Sequence, residues 1–348
     1  MKRLIVAGLA LLLLIGTTGY VLRGPLIDAV VAQRSAATLT RVDRSTLTDG
    51  HLHVWLCGTA AALPDPDRAG PCTAIVAGGQ LVLIDAGPGS WRVVDGLNLP
   101  VAALSAVLIT HLHSDHIGEL GEAIQQSWIA GRSEPLPVYG PPGIDHVVNG
   151  FAQAYGADVG YRVTHHDDAY MPHAAAAATA NVLPLPVGTD RSPVFERDGL
   201  SVSVFRVDHA PVDVAYGYRI EYRGRVVVVS GDTKPSASVR RNAQGADLLL
   251  HEALDTRLTE RASEQATSLG MSRVAKLALD VGNYHTTPIQ AAQIAADAGV
   301  QTLVLTHVFP PLPNAVARRL FMAGTAEMFA GERVLGEDGM RFDLAPLR

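Results

Sequence analysis

Seven short apolar runs, each giving way at once to residues capable of metal or acid–base chemistry, constrain this chain more than any other feature. Val54-Trp55-Leu56 leads into Cys57-Gly58-Thr59, Leu81 to Ile84 into Asp85-Ala86-Gly87, and Val107 to Thr110 into His111. Ser201 to Val207 alternates polar and apolar residues and gives Asp208-His209. Val226 to Val229 ends at Ser230-Gly231-Asp232-Thr233, Leu248 to Leu250 at His251-Glu252, and Leu303 to Thr306 at His307. Continuous β-branched runs of this kind read as strands buried on both faces. If they lie in packed sheets, their ends can gather on one edge and build a single site.

The densest of these ends is His111-Leu112-His113-Ser114-Asp115-His116. With 13 histidines in 348 residues, such a pattern arises by chance in on the order of one sequence per thousand. Imidazole and carboxylate are the donors that zinc and its neighbours prefer, and they suit a site with an open position. Four donors so close in sequence cannot all close around one ion, which points to two ions side by side. An isolated His-x-His carries far less weight, because surface histidines cluster on solvated loops. His51-Leu52-His53 is read in that way, as ordinary strand or loop histidines.

Helical signals alternate with the strands. Thr287-Pro288 through Ala298-Gly299 has an N-cap threonine, a proline at the first helical position and a terminating glycine. Ile117 to Ala130 reads as a helix whose N-terminus carries the histidine motif, and Asp338-Gly339 predicts a tight hairpin. The mixture predicts an α/β fold with sheets inside and helices outside. Residues 134–193, with Pro141-Pro142-Gly143 and an alanine-rich tract at 174–178, read as a cap-like insertion overhanging the site.

With 48% hydrophobic residues the chain can bury one large core, expected over 51–348. A net charge of −6 supplies no basic footprint, so nucleic acid is not expected as a partner. Lys2 and Arg3 precede an apolar run from Leu4 to Leu22 that is long enough to span a bilayer. Residues 1–24 therefore read as a membrane anchor followed by a linker over 25–50, with a signal peptide cleaved near Ala32 as the competing reading. Either places the catalytic body outside the cytoplasm, on the periplasmic side. Cys57 and Cys72 bracket a loop rich in proline and glycine, and read equally as a disulfide or as two buried thiols.

Together these positions resemble the metallo-β-lactamase fold superfamily over roughly residues 51–345. The marks are the His111–His116 motif, His209 after a strand, Asp232 within Ser-Gly-Asp-Thr, and His307 after a strand. Gly217-Tyr218-Arg219, His251-Glu252-Ala253 and His285-Thr286-Thr287 are similar to the ribonuclease Z and arylsulfatase branch. The resemblance implies an αβ/βα sandwich of two mixed sheets and a site for two Zn2+ ions, with Mn2+ or Fe able to replace them. His111, His113 and His209 would hold one ion, Asp115, His116 and His307 the other, and Asp232 would bridge them. Asp85 would orient the ligands. Asp115, His251, Glu252 and His285 are the catalytic candidates, with His285 donating a proton to the leaving group and Glu252 orienting it.

Two departures bear on substrate. Only 22 residues separate His209 from Asp232, where ribonuclease Z enzymes usually carry an arm that grips tRNA. The first loop reads Gly58-Thr59-Ala60, where the branch commonly has a second glycine. The expected activity is a dizinc hydrolase of an extracytoplasmic small-molecule phosphodiester or sulfate ester. Lactone or β-lactam hydrolysis, and a non-catalytic membrane-anchored metal-binding protein, are the alternatives. Oligomeric state is not legible in the sequence.

Overall fold

The computed structural model describes residue 20, residues 23–184 and residues 191–347. The apolar run 4–22, apart from Tyr20, lies outside the described residues, and so does the expected anchor built on it. Among the described residues no helix is long and apolar enough to cross a membrane. The chain divides into two units, Met1–Asp43 and Arg44–Arg348. In the first, residues 23–39 form a helix (α1), most of it in the segment 25–50 expected to be linker.

Among its described residues the second unit has fourteen strands: β1 (Leu52–Gly58), β2 (Cys72–Ala77), β3 (Gln80–Ile84), β4 (Leu104–Leu108), β5 (Leu136–Gly140), β6 (Ala178–Val182), β7 (Ser192–Arg197), β8 (Leu200–Val207), β9 (Ala215–Tyr222), β10 (Arg225–Val229), β11 (Leu248–Leu254), β12 (Thr302–Phe309), β13 (Glu332–Leu335) and β14 (Arg341–Leu344). They form two seven-stranded sheets, ordered β14-β1-β2-β3-β4-β5-β6 and β13-β12-β11-β10-β9-β8-β7. Each sheet is mixed, with β3 to β6 parallel in the first and β10 to β13 parallel in the second.

Side chains alternate across each strand with a period of two. Leu52, Val54 and Leu56 of β1 therefore enter the layer between the sheets, where they meet Val204, Tyr218, Val229 and Leu250 of the second sheet. Trp55 and Cys57 turn to the opposite face and pack with Val94, Leu120, Ile124 and Val148. Those residues come from α2 (Ser90–Gly96), α4 (Leu120–Ile129) and α5 (Ile144–His166). The outer face of the second sheet packs on α6 (Ala237–Asn242) and α9 (Pro288–Ala298). The result is the expected sandwich, with helices outside both sheets.

Local signals explain the helix ends. Thr287 forms a capping box with Gln290, Pro288 opens α9, and Gly299 closes it at φ +63°. The helix expected from Ile117 to Ala130 is instead two: α3 (Ser114–Ile117) and α4, separated at Gly118-Glu119. Three sequence expectations are corrected. Segment 134–193 is largely part of the sandwich, with β5 and β6 extending the first sheet and β7 edging the second. Asp338-Gly339 does not close a hairpin, because β13 belongs to the second sheet and β14 to the first. His251, Glu252 and His307 lie within β11 and β12, not beyond their ends.

Cys57 and Cys72 are joined in a disulfide with a sequence separation of 15. Closing a loop of that length contributes about 3 kcal/mol through the unfolded chain. Cys72→Ser is expected to lose about that much in denaturant titration, and dithiothreitol should bring the wild type to the same midpoint. Unfolded, unreduced protein should show no free thiol.

Candidate metal centre and active site

The site forms where both sheets present their strand ends along one edge. Tyr218 Oη of β9 donates to the Ile109 carbonyl at 2.8 Å, and the Tyr216 N–H donates to the Thr110 carbonyl at 3.0 Å. The second sheet thus fixes the segment that delivers His111. The loop after β1 closes the same edge: Val308 of β12 donates its N–H to the Thr59 carbonyl at 2.8 Å, and Ala60 bridges to Val308. The replacement of the branch's second glycine by Ala60 leaves this approach intact, since the tightest contact is at Gly58.

Asp232 sits at the centre and is buried. Its Oδ2 lies 3.2 Å from His307 Nε2, 3.4 Å from His116 Nε2, and 3.8 Å from the Nε2 atoms of both His111 and His209. The donor atoms fall into groups: His111, His113, His209 and Asp232 in one, Asp115, His116 and His307 in another. In each, the atoms lie within 4.8 Å of one another. All seven metal-ligand candidates from the sequence therefore converge, and His307 reaches the group from a residue at φ +48° inside β12.

The donor set fits divalent metal. Asp85 Oδ2 lies 2.8 Å from His116 Nδ1, and the Tyr284 carbonyl accepts from His209 Nδ1 at 3.0 Å. With Nδ1 so engaged, each ring turns an Nε2 lone pair inward. Those two Nε2 atoms are buried and lack any hydrogen-bond partner, an arrangement that a bound cation satisfies. Burial holds His111, His113 and His209 below the ordinary imidazole range, which favours the neutral, ligating form. Burial opposes charge on His116 too, yet Asp232 and Asp85 raise it well above that range, so the local field favours positive charge. Burial would raise Asp115, but the hydrogen bond to His307 and the charge of His116 lower it to about 2.

Thr110 and Tyr284 were missed by sequence reasoning. The Thr110 N–H donates to Asp85 Oδ1 at 2.8 Å and its hydroxyl to Oδ2 at 2.9 Å, holding the carboxylate that holds His116. Its place directly before the histidine motif was the available signal.

Glu252 and His285 meet at 3.1 Å (Oε1 to Nδ1), and that oxygen also accepts the Thr233 and Thr286 N–H groups at 3.1 and 3.0 Å. Burial alone would push the His285 imidazole down; the Glu252 charge and hydrogen bond, with Asp232 behind, raise it to about 9. The field of these carboxylates favours the protonated form of His285, which stands beside Asp232 and His307. His251, on the same strand, turns to the opposite face. It is fully buried, its Nδ1 donates to the Glu252 carbonyl at 2.7 Å, and its Nε2 has no hydrogen-bond partner.

A pocket of about 240 Å³ opens on the centre, walled by Ala61, Ala62, Val281, Tyr284 and Phe309. Among the described residues, none that lines it comes from 134–193. Beside His209 lies a larger cleft of about 590 Å³ that includes Arg206, Arg241, Ser236 and Ser238 together with Asp208 and Asp213.

The pattern of the beta-lactamase superfamily domain matches residues 80–308. Ribonuclease Z of Mycobacterium bovis is 38% identical over 301 residues, covering 85% of this chain and 100% of that protein. Ribonuclease Z of Mycobacterium avium is 38% identical over 82% of this chain and 96% of its own length. Human tRNase Z, short form, shares the fold with a TM-score of 0.60 at 22% identity, over 84% of this chain and 99% of that one.

These likenesses overturn the expected substrate and location. Relatives matched along their whole length bear the name of an RNA-cleaving enzyme, not of an exported hydrolase of small-molecule esters. Nucleic acid, set aside on net charge, is the substrate their name specifies. Net charge sums over the entire surface and is silent on the local field at one cleft. The extracytoplasmic placement is withdrawn with it, because the relatives bear the name of a ribonuclease, and among the described residues no helix supports a membrane anchor. The arylsulfatase comparison finds no counterpart among these relatives. With its sandwich, its converging donors and this likeness over 85% of the chain, the protein belongs to the ribonuclease Z family of the beta-lactamase superfamily and is a metal-dependent hydrolase of phosphodiester bonds.

Proposed function

We propose that this protein cleaves a phosphodiester bond in RNA, with transfer RNA as its substrate class, at a centre for two zinc ions. The observation that carries the reading is the 38% identity to ribonuclease Z across that enzyme's full length. In this reading His111, His113 and His209 would hold one ion, Asp115, His116 and His307 the other, and Asp232 would be shared. Bound metal supplies Lewis acidity and an activated water at neutral pH.

The chain's own residues do the rest. Asp85 and Thr110 fix the His116 ring, and the Tyr284 carbonyl fixes His209. Glu252 holds His285 in its protonated form, so His285 can give its proton to the leaving oxygen as the phosphodiester breaks.

A transcript carrying a transfer RNA with flanking sequence, incubated with zinc-loaded protein, tests this directly. Cleavage at one position, abolished by chelator, is expected; intact RNA alongside turnover of an activated phosphodiester would overturn the RNA assignment. His285→Ala should lower the rate on RNA by about 10²- to 10⁴-fold, and far less on a nitrophenyl phosphodiester whose leaving group needs no proton. Equal losses on both substrates would remove the proton-donor role.

A further inference from the structure

A second histidine–carboxylate cluster lies at the far end of β1 from the centre described above. Asp49 and His51 precede the strand, His53 lies in it, and Asp343 faces His53 across β14. Five residue steps along the strand take His53 to Gly58, a span of about 17 Å. His53 is 1% exposed. Its Nδ1 lies 2.5 Å from Asp343 Oδ1 and its Nε2 2.9 Å from Asp49 Oδ2. His51 Nδ1 is 3.5 Å from Asp49 Oδ1, too far for a good hydrogen bond. That nitrogen is sealed from solvent and has no hydrogen-bond partner, although the His51 side chain is 38% exposed. Donor atoms of Asp49, His51 and His53 all lie within 4.8 Å of one another.

A neutral imidazole carries one N–H and one lone pair. Both nitrogens of His53 meet a carboxylate oxygen, so a neutral ring sets one lone pair against an anion, an arrangement relieved either by protonation of the ring or by a cation standing at one contact. Arg341 stands at the first of these contacts, with its Nε 2.6 Å from Asp343 Oδ1 and its Nη2 3.3 Å from His53 Nδ1, so Asp343 already has a cation partner. Asp343 can accept the Nδ1–H of His53 and thereby turn the Nε2 lone pair toward Asp49. This is the carboxylate–histidine arrangement that fixes the tautomer of metal-binding imidazoles. His51 Nδ1, with no partner of its own, is a third donor aimed at the same point.

We propose that Asp49, His51 and His53 form a binding site for a divalent transition-metal ion of the zinc type, separate from the catalytic centre, with Asp343 as its supporting carboxylate. Two imidazoles and one carboxylate are a donor set that zinc and its neighbours accept. Asp49 and His51 are partly open to solvent, so water can complete the coordination. The ion would tie the segment entering β1 to the β1–β14 edge of the first sheet.

The test is a zinc count on the full chain. Chelator-stripped protein is re-equilibrated with micromolar Zn2+, passed through gel filtration and measured by elemental analysis. Wild type should retain one zinc ion per chain more than His51→Ala, and Asp49→Asn should show the same loss with an isosteric side chain. A His165→Ala/His166→Ala variant, removing the exposed histidine pair at the end of α5, should match wild type. Equal counts in wild type, His51→Ala and Asp49→Asn would overturn the site. A matching loss in the His165/His166 control would do so too, because it would mark the extra ion as adventitious. The comparison is between variants that share one catalytic centre, so failure of the ribonuclease reading would leave it unaffected.

Discussion

Asp232→Ala is expected to hold fewer than two metal ions per chain and to lose at least about 10³-fold in kcat, on the order of 4 kcal/mol of transition-state stabilisation. The expectation comes from the position of one oxygen. Oδ2 of Asp232 is the atom on which His111, His116, His209 and His307 all converge, between 3.2 and 3.8 Å away. Burial alone would raise this carboxyl, but His307, His116 and His111 hold it well below the ordinary carboxylate range. Alanine removes the anion and leaves four imidazoles facing one another without it. Elemental analysis of the purified variant gives the decisive number. Two ions retained per chain would mean that the histidines bind metal without the shared carboxylate, and the bridging role would be lost even if activity fell.

The second large effect is on folding. Gly58→Ala should destabilise the protein by about 3 kcal/mol, at the upper end of what overpacking costs. A Cβ at Gly58 would lie 1.7 Å from the Gly70 carbonyl oxygen and 2.8 Å from its carbon. Neither atom can step aside cheaply. Gly70 donates its N–H to the Pro88 carbonyl at 2.8 Å, and the Cys57–Cys72 disulfide closes the same loop. The adjoining Thr59 carbonyl holds Val308, next to His307, so a forced shift should also lower activity. Gly150→Ala is the matched control: it lies in α5 with nothing within 4 Å of its added Cβ, and helix propensity predicts a gain of up to about 1 kcal/mol. Denaturant midpoints for the two variants should move in opposite directions, and an unmoved Gly58→Ala would refute the crowding.

How much of this was legible depends on the distance between the residues concerned. Strand ends were readable because apolar runs and the polar residues after them are neighbours in the chain, and α9 because its cap, proline and glycine are local. The hairpin at Asp338-Gly339 was misread because a turn signal states that the chain reverses, not which sheet receives it. Segment 134–193 was misread because β5 and β6 are short and follow or precede proline, glycine and alanine tracts, which mask edge strands. The seven donors were recognisable as a set only through family resemblance; their spacing alone gave His111 to His116. His53 was passed over because its partner Asp343 lies 290 residues away and meets it only through strand register. Substrate was misjudged because whole-chain charge was asked a local question.

The division of donors between the two sheets has a mechanical consequence. His111, His113, Asp115 and His116 ride on the first sheet, while His209, Asp232 and His307 ride on the second. Any ion held by either group is therefore a rivet through the seam of the sandwich. Prying the layers apart and releasing the metal become one event, and the resting enzyme is bolted shut along the edge where it works.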